Sequence, residues 1–161
     1  MRFRLATRDD LPAIVGLLID DDLGGRREIF SNPLPDEYGR AFDDLQQSGA
    51  DIILALDRSG AVIGCLQLLI LPGLGKLGSR RAQIEAVRVA SHLRGQGLGT
   101  QLIGHAIERA RERGCKLVQL TSDNSRQGAH RLYERLGFRA SHVGMKLPLE
   151  SFLLFFCTFS T

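Results

Sequence analysis

Segments with the two-residue period of strands and the 3.6-residue period of helices alternate along this 161-residue chain, which predicts an α/β fold of about seven strands flanked by about four helices. Three observations carry that expectation. Residues 87–110 read as a strand end, a glycine-rich turn and an amphipathic helix. Residues 51–71 read as a hairpin turning at Arg58-Ser59-Gly60. A further helix near 126–136 runs into Gly137-Phe138, which opens another extended segment. With 43% hydrophobic and 24% charged residues, the chain suits one domain that buries its own core.

Taken in order, Arg2 to Ala6 alternates as a first strand, and Thr7 with Asp10 three residues on forms a variant capping box for a helix. Leu11, Ile14, Val15 and Leu18 mark the buried side of that helix. A charged loop spans 20–34. Pro35 then begins a helix with Tyr38, Ala41, Phe42 and Leu45 on one side and Gly49 as its stop. Strands follow at 51–57 and 61–71, and after a loop with Pro72, Gly73, Gly75 and Gly78 the central strand runs from Ala82 to Ala90. Leu102, Ile103, Ala106, Ile107 and Ala110 give the next helix one apolar face, and Gly114 ends it. A fifth strand is expected at 116–122, a helix at 126–136, and final strands at 138–141 and 142–149.

The glycine turn, Arg94-Gly95-Gln96-Gly97-Leu98-Gly99-Thr100, leaves unobstructed N–H groups at a helix start, where the dipole adds partial positive charge. That suits phosphate. Two familiar phosphate loops are excluded by spacing: the dinucleotide fingerprint needs glycine where Thr100 stands, and no Gly-Lys-Ser/Thr tripeptide occurs. The turn resembles instead the R/Q-x-x-G-x-G/A signature of the GNAT family of N-acetyltransferases. The segment Ala129-His130-Arg131-Leu132-Tyr133-Glu134-Arg135-Leu136-Gly137-Phe138 resembles that family's A-x-x-L/F-Y-E-x-L helix ending in Gly-Phe. The resemblance covers roughly residues 2–149 and is specific between about 84 and 138. It implies a mixed, splayed sheet, acetyl-coenzyme A as cosubstrate without metal, and direct acetyl transfer to a primary amine of a small molecule or a peptide.

That chemistry asks for an anchor, a backbone edge, a base and an acid. The N–H groups from Gly95 through Gln96, Gly97, Leu98 and Gly99 to Thr100 supply the anchor, Arg94 can add charge, and side chains at Gly97 or Gly99 would block the approach. By resemblance, Val87 and Val89 lie beside the pantetheine arm, Asn124 hydrogen-bonds it, and one main-chain amide faces the thioester carbonyl. A lysine-like amine of pKa ~10.4 costs roughly 4–5 kcal/mol to deprotonate at neutral pH. Glu85, a carboxylate on the central strand between the apolar Ile84 and Ala86, is the candidate base or amine anchor; Gln83, where some family members carry the acid, cannot be one. Tyr133 matches the family tyrosine that protonates the departing thiolate. His92 and His130 read as surface histidines. A non-catalytic acetyl-coenzyme A sensor is the alternative reading, and kinetics of Tyr133 and Glu85 variants separate the two.

Charge and cysteine usage narrow the partners. Residues 1–57 hold 6 basic and 12 acidic side chains, a balance of −6, and residues 58–161 hold 15 basic and 6 acidic, a balance of +9. A basic half suits an anionic cosubstrate and an acidic half a cationic amine. Acids such as Asp21, Asp22 and Glu28 in the segment 20–38, with the loop at 72–81 opposite, are expected to bound the acceptor site. Nucleic acid is disfavoured because the arginines interleave with Glu108, Glu112 and Glu134 and lack aromatic neighbours. The N-terminus is not signal-like and no apolar run reaches transmembrane length, so no membrane partner is expected. Cys65, Cys115 and Cys157 have no metal-ligand spacing and suit a reducing cytoplasm. A homodimer is left open. The domain is placed at 1–149. The apolar extension 150–161 could pack on it, add an edge strand, enter a partner, or arise from the reading frame.

Overall fold

The most deeply buried strand sets the layout. Asp51–Leu56, our β2, is buried at every position, so it must be covered on both faces. In the computed structural model, which describes residues 1–21, 25 and 28–149, it lies second in a five-stranded sheet. The strand order is that of the sequence: β1 (Arg2–Leu5), β2, β3 (Val62–Leu71), β4 (Arg80–Val89) and β5 (Cys115–Leu120). The first four strands pair antiparallel and β4–β5 pairs parallel.

Four α-helices cover it: α1 (Leu11–Ile19), α2 (Asp36–Gln47), α3 (Leu98–Glu112) and α4 (Gln127–Arg135). On one face α1 and α2 pack Ile14, Leu17 and Phe42 onto Ile52, Leu54, Leu56 and Cys65. On the other, α3 packs Leu102, Ile103, Ala106 and Ala110 onto Ile53, Ala55, Leu66, Leu68 and Ile84. Leu17 is buried where the sequence pattern points to Leu18, and Ala41 is exposed. The segment Gly75–Gly78 closes a turn in which Lys76 and Leu77 adopt left-handed φ, so it is no right-handed helix. Thr7 and Asp10 cap as expected: the Thr7 N–H donates to Asp10 Oδ2 at 2.8 Å. They head a 3-10 turn, Arg8–Asp10, that leads into α1.

Two departures from a regular sheet position the site. Opposite Cys65 and Gln67 of β3, two residues apart, stand Arg88 and Glu85 of β4, three apart, so β4 carries one extra residue there. Ala86 within this bulge has φ +50°. The β4–β5 pairing then ends at Ile84 and Leu120, leaving Glu85 to Val89 with no partner on the β5 side. This is the expected splay.

The expected strands at 138–141 and 142–149 do not form: the sheet has five strands, not seven. Val143, Met145, Leu147 and Leu149 alternate as a strand should, yet each is largely exposed. Alternation makes a strand only where a ladder partner exists. The segment passes beyond the end of β5, where a Cβ on Gly144 would lie 3.9 Å from Thr121 Cγ2, and finds none.

Candidate active site

The splay opens a cleft between β4 and β5. It is lined by Ile84 to Arg88 from β4, Leu120 to Asp123 from the end of β5, Arg126 and Tyr133 around α4, and Lys146. The structure thus brings Glu85, Val87 and Tyr133 together. It adds Arg88, Ser122, Arg126 and Lys146, which sequence reading missed.

Glu85 is held by a side-chain relay across the two strands. Gln83 Nε2 donates to Glu85 Oε1 at 2.8 Å, and Gln119 Nε2 donates to Gln83 Oε1 at 2.6 Å. Gln83, though unable to act as a base, fixes the carboxylate that can. Tyr133 rests edge-on against Phe138, with ring centroids 5.9 Å apart, and leans on the core beneath α3. Burial pushes its phenol above the ordinary tyrosine value; Arg126 and Arg88 pull it back down, and Glu85 adds to the rise.

Arg88 and Arg126 converge on the end of α1. Arg126 Nη2 lies 2.5 Å and Arg88 Nη2 3.6 Å from Asp21 Oδ2. Arg88 also donates from Nη1 to the Val87 carbonyl at 2.9 Å. Its Nε, like Ser122 Oγ, is buried without a hydrogen-bond partner among the described residues. Asp21 therefore already faces two guanidiniums, and Glu28 accepts the Tyr38 hydroxyl at 2.8 Å. Neither matches the expected free acid for a cationic amine, and Asp22 lies outside the described residues.

At the near end of the cleft, Ala90 leads through the turn Ser91–Leu93 into the glycine segment. Gly95 and Gly97 take φ +78° and +82°, a conformation in which L side chains are strained. Gly97 caps α3, whose first intrahelical bond runs from Gln101 N–H to Gly97 O at 3.2 Å. The N–H groups of Leu98, Gly99 and Thr100 precede that bond and are the unpaired donors of a helix start. A Cβ on Gly99 would lie in ordinary contact with Leu132 Cδ2, at 3.4 Å.

Val87 and Val89 pack their side chains on the α3-side core while their main chain faces the splay. Gln96 Nε2 donates to the His92 carbonyl at 3.2 Å, folding over its own turn. Arg94 is turned away from the turn: its Nε donates to the Val89 carbonyl at 3.1 Å and its guanidinium pairs with Asp20 at 3.7 Å. Asn124 lies in the exposed turn before α4, its carbonyl accepting from Gln127 Nε2, and does not line the cleft. The Cys65 thiol, buried and pushed up to about 12, is inert.

A sheet splayed beside a bulged strand, with an anion-ready helix start at its mouth, belongs to enzymes that lay an acyl-coenzyme A along a strand. Residues 23–138 match the model of the Acetyltransferase (GNAT) family. The chain is 35% identical over 144 residues to the aminoalkylphosphonate N-acetyltransferase of Salmonella typhimurium, covering 86% of this chain and 85% of that protein. It is 31% identical over 143 residues to the L-methionine sulfoximine/L-methionine sulfone acetyltransferase of Pseudomonas aeruginosa, covering 85% and 81%. A crystal structure named as a transcriptional regulator from Bacillus halodurans superposes with TM-score 0.87 at 47% identity, over 92% of this chain and 99% of that one. The chain belongs to the GNAT family and is an acetyl-coenzyme A-dependent N-acetyltransferase.

Proposed function

We propose that this protein acetylates the primary amine of a small molecule, with Glu85 as the base or amine anchor and Tyr133 as the acid. The observation that carries this reading is their convergence, from β4 and α4, on one cleft at the point where β4 has lost its pairing with β5. The names of two relatives, each given for a small molecule, support a small acceptor. Acetyl-coenzyme A supplies the activated acyl group as a thioester. The N–H groups from Gly95 to Thr100 take its pyrophosphate, the edge at Val87 and Val89, which has no strand partner on the β5 side, takes its pantetheine arm in competition with the Arg88 and Arg94 side chains on its carbonyls, and the orphaned Ser122 Oγ is a polar partner for that arm at the β5 side.

Glu85, held by Gln83, receives the amine proton directly or through one water as the nitrogen attacks the thioester carbon. The carbon–sulfur bond breaks and the thiolate takes its proton from the Tyr133 hydroxyl. A phenol near 10 facing a thiol near 8.5 donates uphill by ~1.5 units, or ~2 kcal/mol. Burial of Tyr133 adds to that cost, and Arg126 and Arg88 offset part of the addition by favouring the phenolate. No covalent enzyme intermediate is needed. The acetyltransferase unit in this reading is residues 1–149. Among the described residues no helix is long and apolar enough to cross a membrane.

A thiol-release screen of amines with acetyl-coenzyme A as donor tests the reading. Turnover of a small amine supports it. Calorimetric binding of acetyl-coenzyme A without turnover of any amine would favour the sensor alternative. Strong, salt-dependent DNA binding would favour the role named for the Bacillus halodurans protein.

A further inference from the structure

We propose that the acceptor is a zwitterion, an amine that also carries an oxyanion, with its amine toward Glu85 and its anion toward Arg88 and Arg126. The inference rests on the reading of Glu85 given above and names the substrate class of that site. The bulge in β4 puts Glu85 and Arg88 opposite Gln67 and Cys65, which share the α1 and α2 side of the sheet. A carboxylate and a guanidinium are thus presented along one wall, at most ~10 Å apart between their Cα atoms at strand rise. Arg126 reaches the same end from the start of α4, and Lys146 lines the cleft beside it.

The acids near these cations do not exhaust them. Asp21 offers one carboxylate to two guanidiniums. Asp123, which feels the charges of Arg126 and Lys146, binds the Ser125 N–H and hydroxyl through Oδ1 at 2.9 and 2.6 Å. The buried Arg88 Nε keeps a donor with no partner among the described residues. A guanidinium matches carboxylate, sulfonate or phosphonate oxygens in a planar fork, so two of them at one end of a small cleft select an anionic substituent. The opposite end, with Glu85, selects the cationic amine. A short molecule with both groups a few bonds apart matches that polarity.

The test is steady-state thiol release on matched amines of two to four carbons: ω-amino carboxylates, sulfonates and phosphonates against alkylamines and amino amides of the same length. Wild type is expected to prefer at least one anion-bearing series about 10-fold or more in kcat/KM. Arg126→Gln and Arg88→Gln should each cut that preference about 10- to 100-fold, mainly through KM, with partial recovery in the lysine variants. Asp21→Asn leaves both guanidiniums and removes an internal competitor, so it should lower KM for the anion-bearing series alone, a gain that misfolding cannot produce. Equal turnover of charged and neutral amines, or arginine variants that leave the preference intact, would overturn the proposal while acetyl transfer stands. Acetyl-coenzyme A binding with no amine of either class turned over would overturn both.

Discussion

A charged side chain between apolar neighbours on a strand needs a reason, and that criterion made Glu85 legible before any coordinates. Applied consistently it also marks Arg88, flanked by Val87 and Val89. Its significance stayed hidden because its partners, Asp21 and Arg126, come from distant parts of the chain. Removing the carboxylate in Glu85→Gln, or the hydroxyl in Tyr133→Phe, should lower kcat about 10²- to 10⁴-fold while calorimetry shows near-unchanged acetyl-coenzyme A affinity. Gln83→Ala, which frees the Glu85 side chain, should cost less, roughly 10-fold in kcat. Asp10 gives a prediction for pH. Arg4, bound through two hydrogen bonds of 2.6 and 2.7 Å, holds its carboxyl down at about 2. A lowered folded-state value stabilises above the unfolded pKa, so this contribution is present at neutral pH and is lost between about pH 4 and pH 2. Asp10→Asn should therefore remove ~1 kcal/mol at pH 7 and leave the variant and wild type equally stable near pH 2, as urea titrations would show.

At the level of elements, the glycine turn was the most readable stretch, because a chain that needs positive φ names its residue. The structure divides the work among its glycines differently from the sequence reading. Gly95 and Gly97 need their conformation, whereas Gly99 has no left-handed φ and a Cβ there would make only ordinary contact with Leu132. Gly97→Ala is expected to cost ~1–2 kcal/mol of stability and to weaken acetyl-coenzyme A binding, since the left-handed cap that aims the α3 amides is strained. Gly99→Ala, which meets neither strain nor a clash, should leave stability nearly unchanged, so a loss of affinity there would report a blocked approach to the turn. Thermal unfolding and calorimetry on the two variants separate these effects. The last two expected strands failed for a reason no single-strand pattern reveals: the alternation at 143–149 is present, but strandness is a property of pairs.

For the molecule as a whole, hydrophobic periodicity gave the element order as far as α4 and both core faces, because burial on a layered frame leaves little freedom once the strands are placed. The charge asymmetry was visible too, but not its use. The acidic first third does not simply await a cation; part of it is consumed in bridges to the basic remainder. Asp51, at the start of β2 and 6% exposed, accepts from Arg109 Nε at 2.9 Å and Arg113 Nη1 at 3.2 Å, tying the end of α3 to the sheet. Asp51→Ala strands two cations at that seam and should destabilise by about 2 kcal/mol in chemical denaturation, with the cleft and its kinetics little changed.

One residue too many in β4 has an evolutionary corollary. Side chains on a strand obey an even–odd rule, and the insertion at Ala86 reverses parity between the two halves of this one. A variant lacking Ala86 would gain a tidier ladder and shed a left-handed alanine. It would leave the carboxylate and the guanidinium on the same side, two residues apart instead of three, so the span between them would close by about 3 Å. Length, not composition, sets that span.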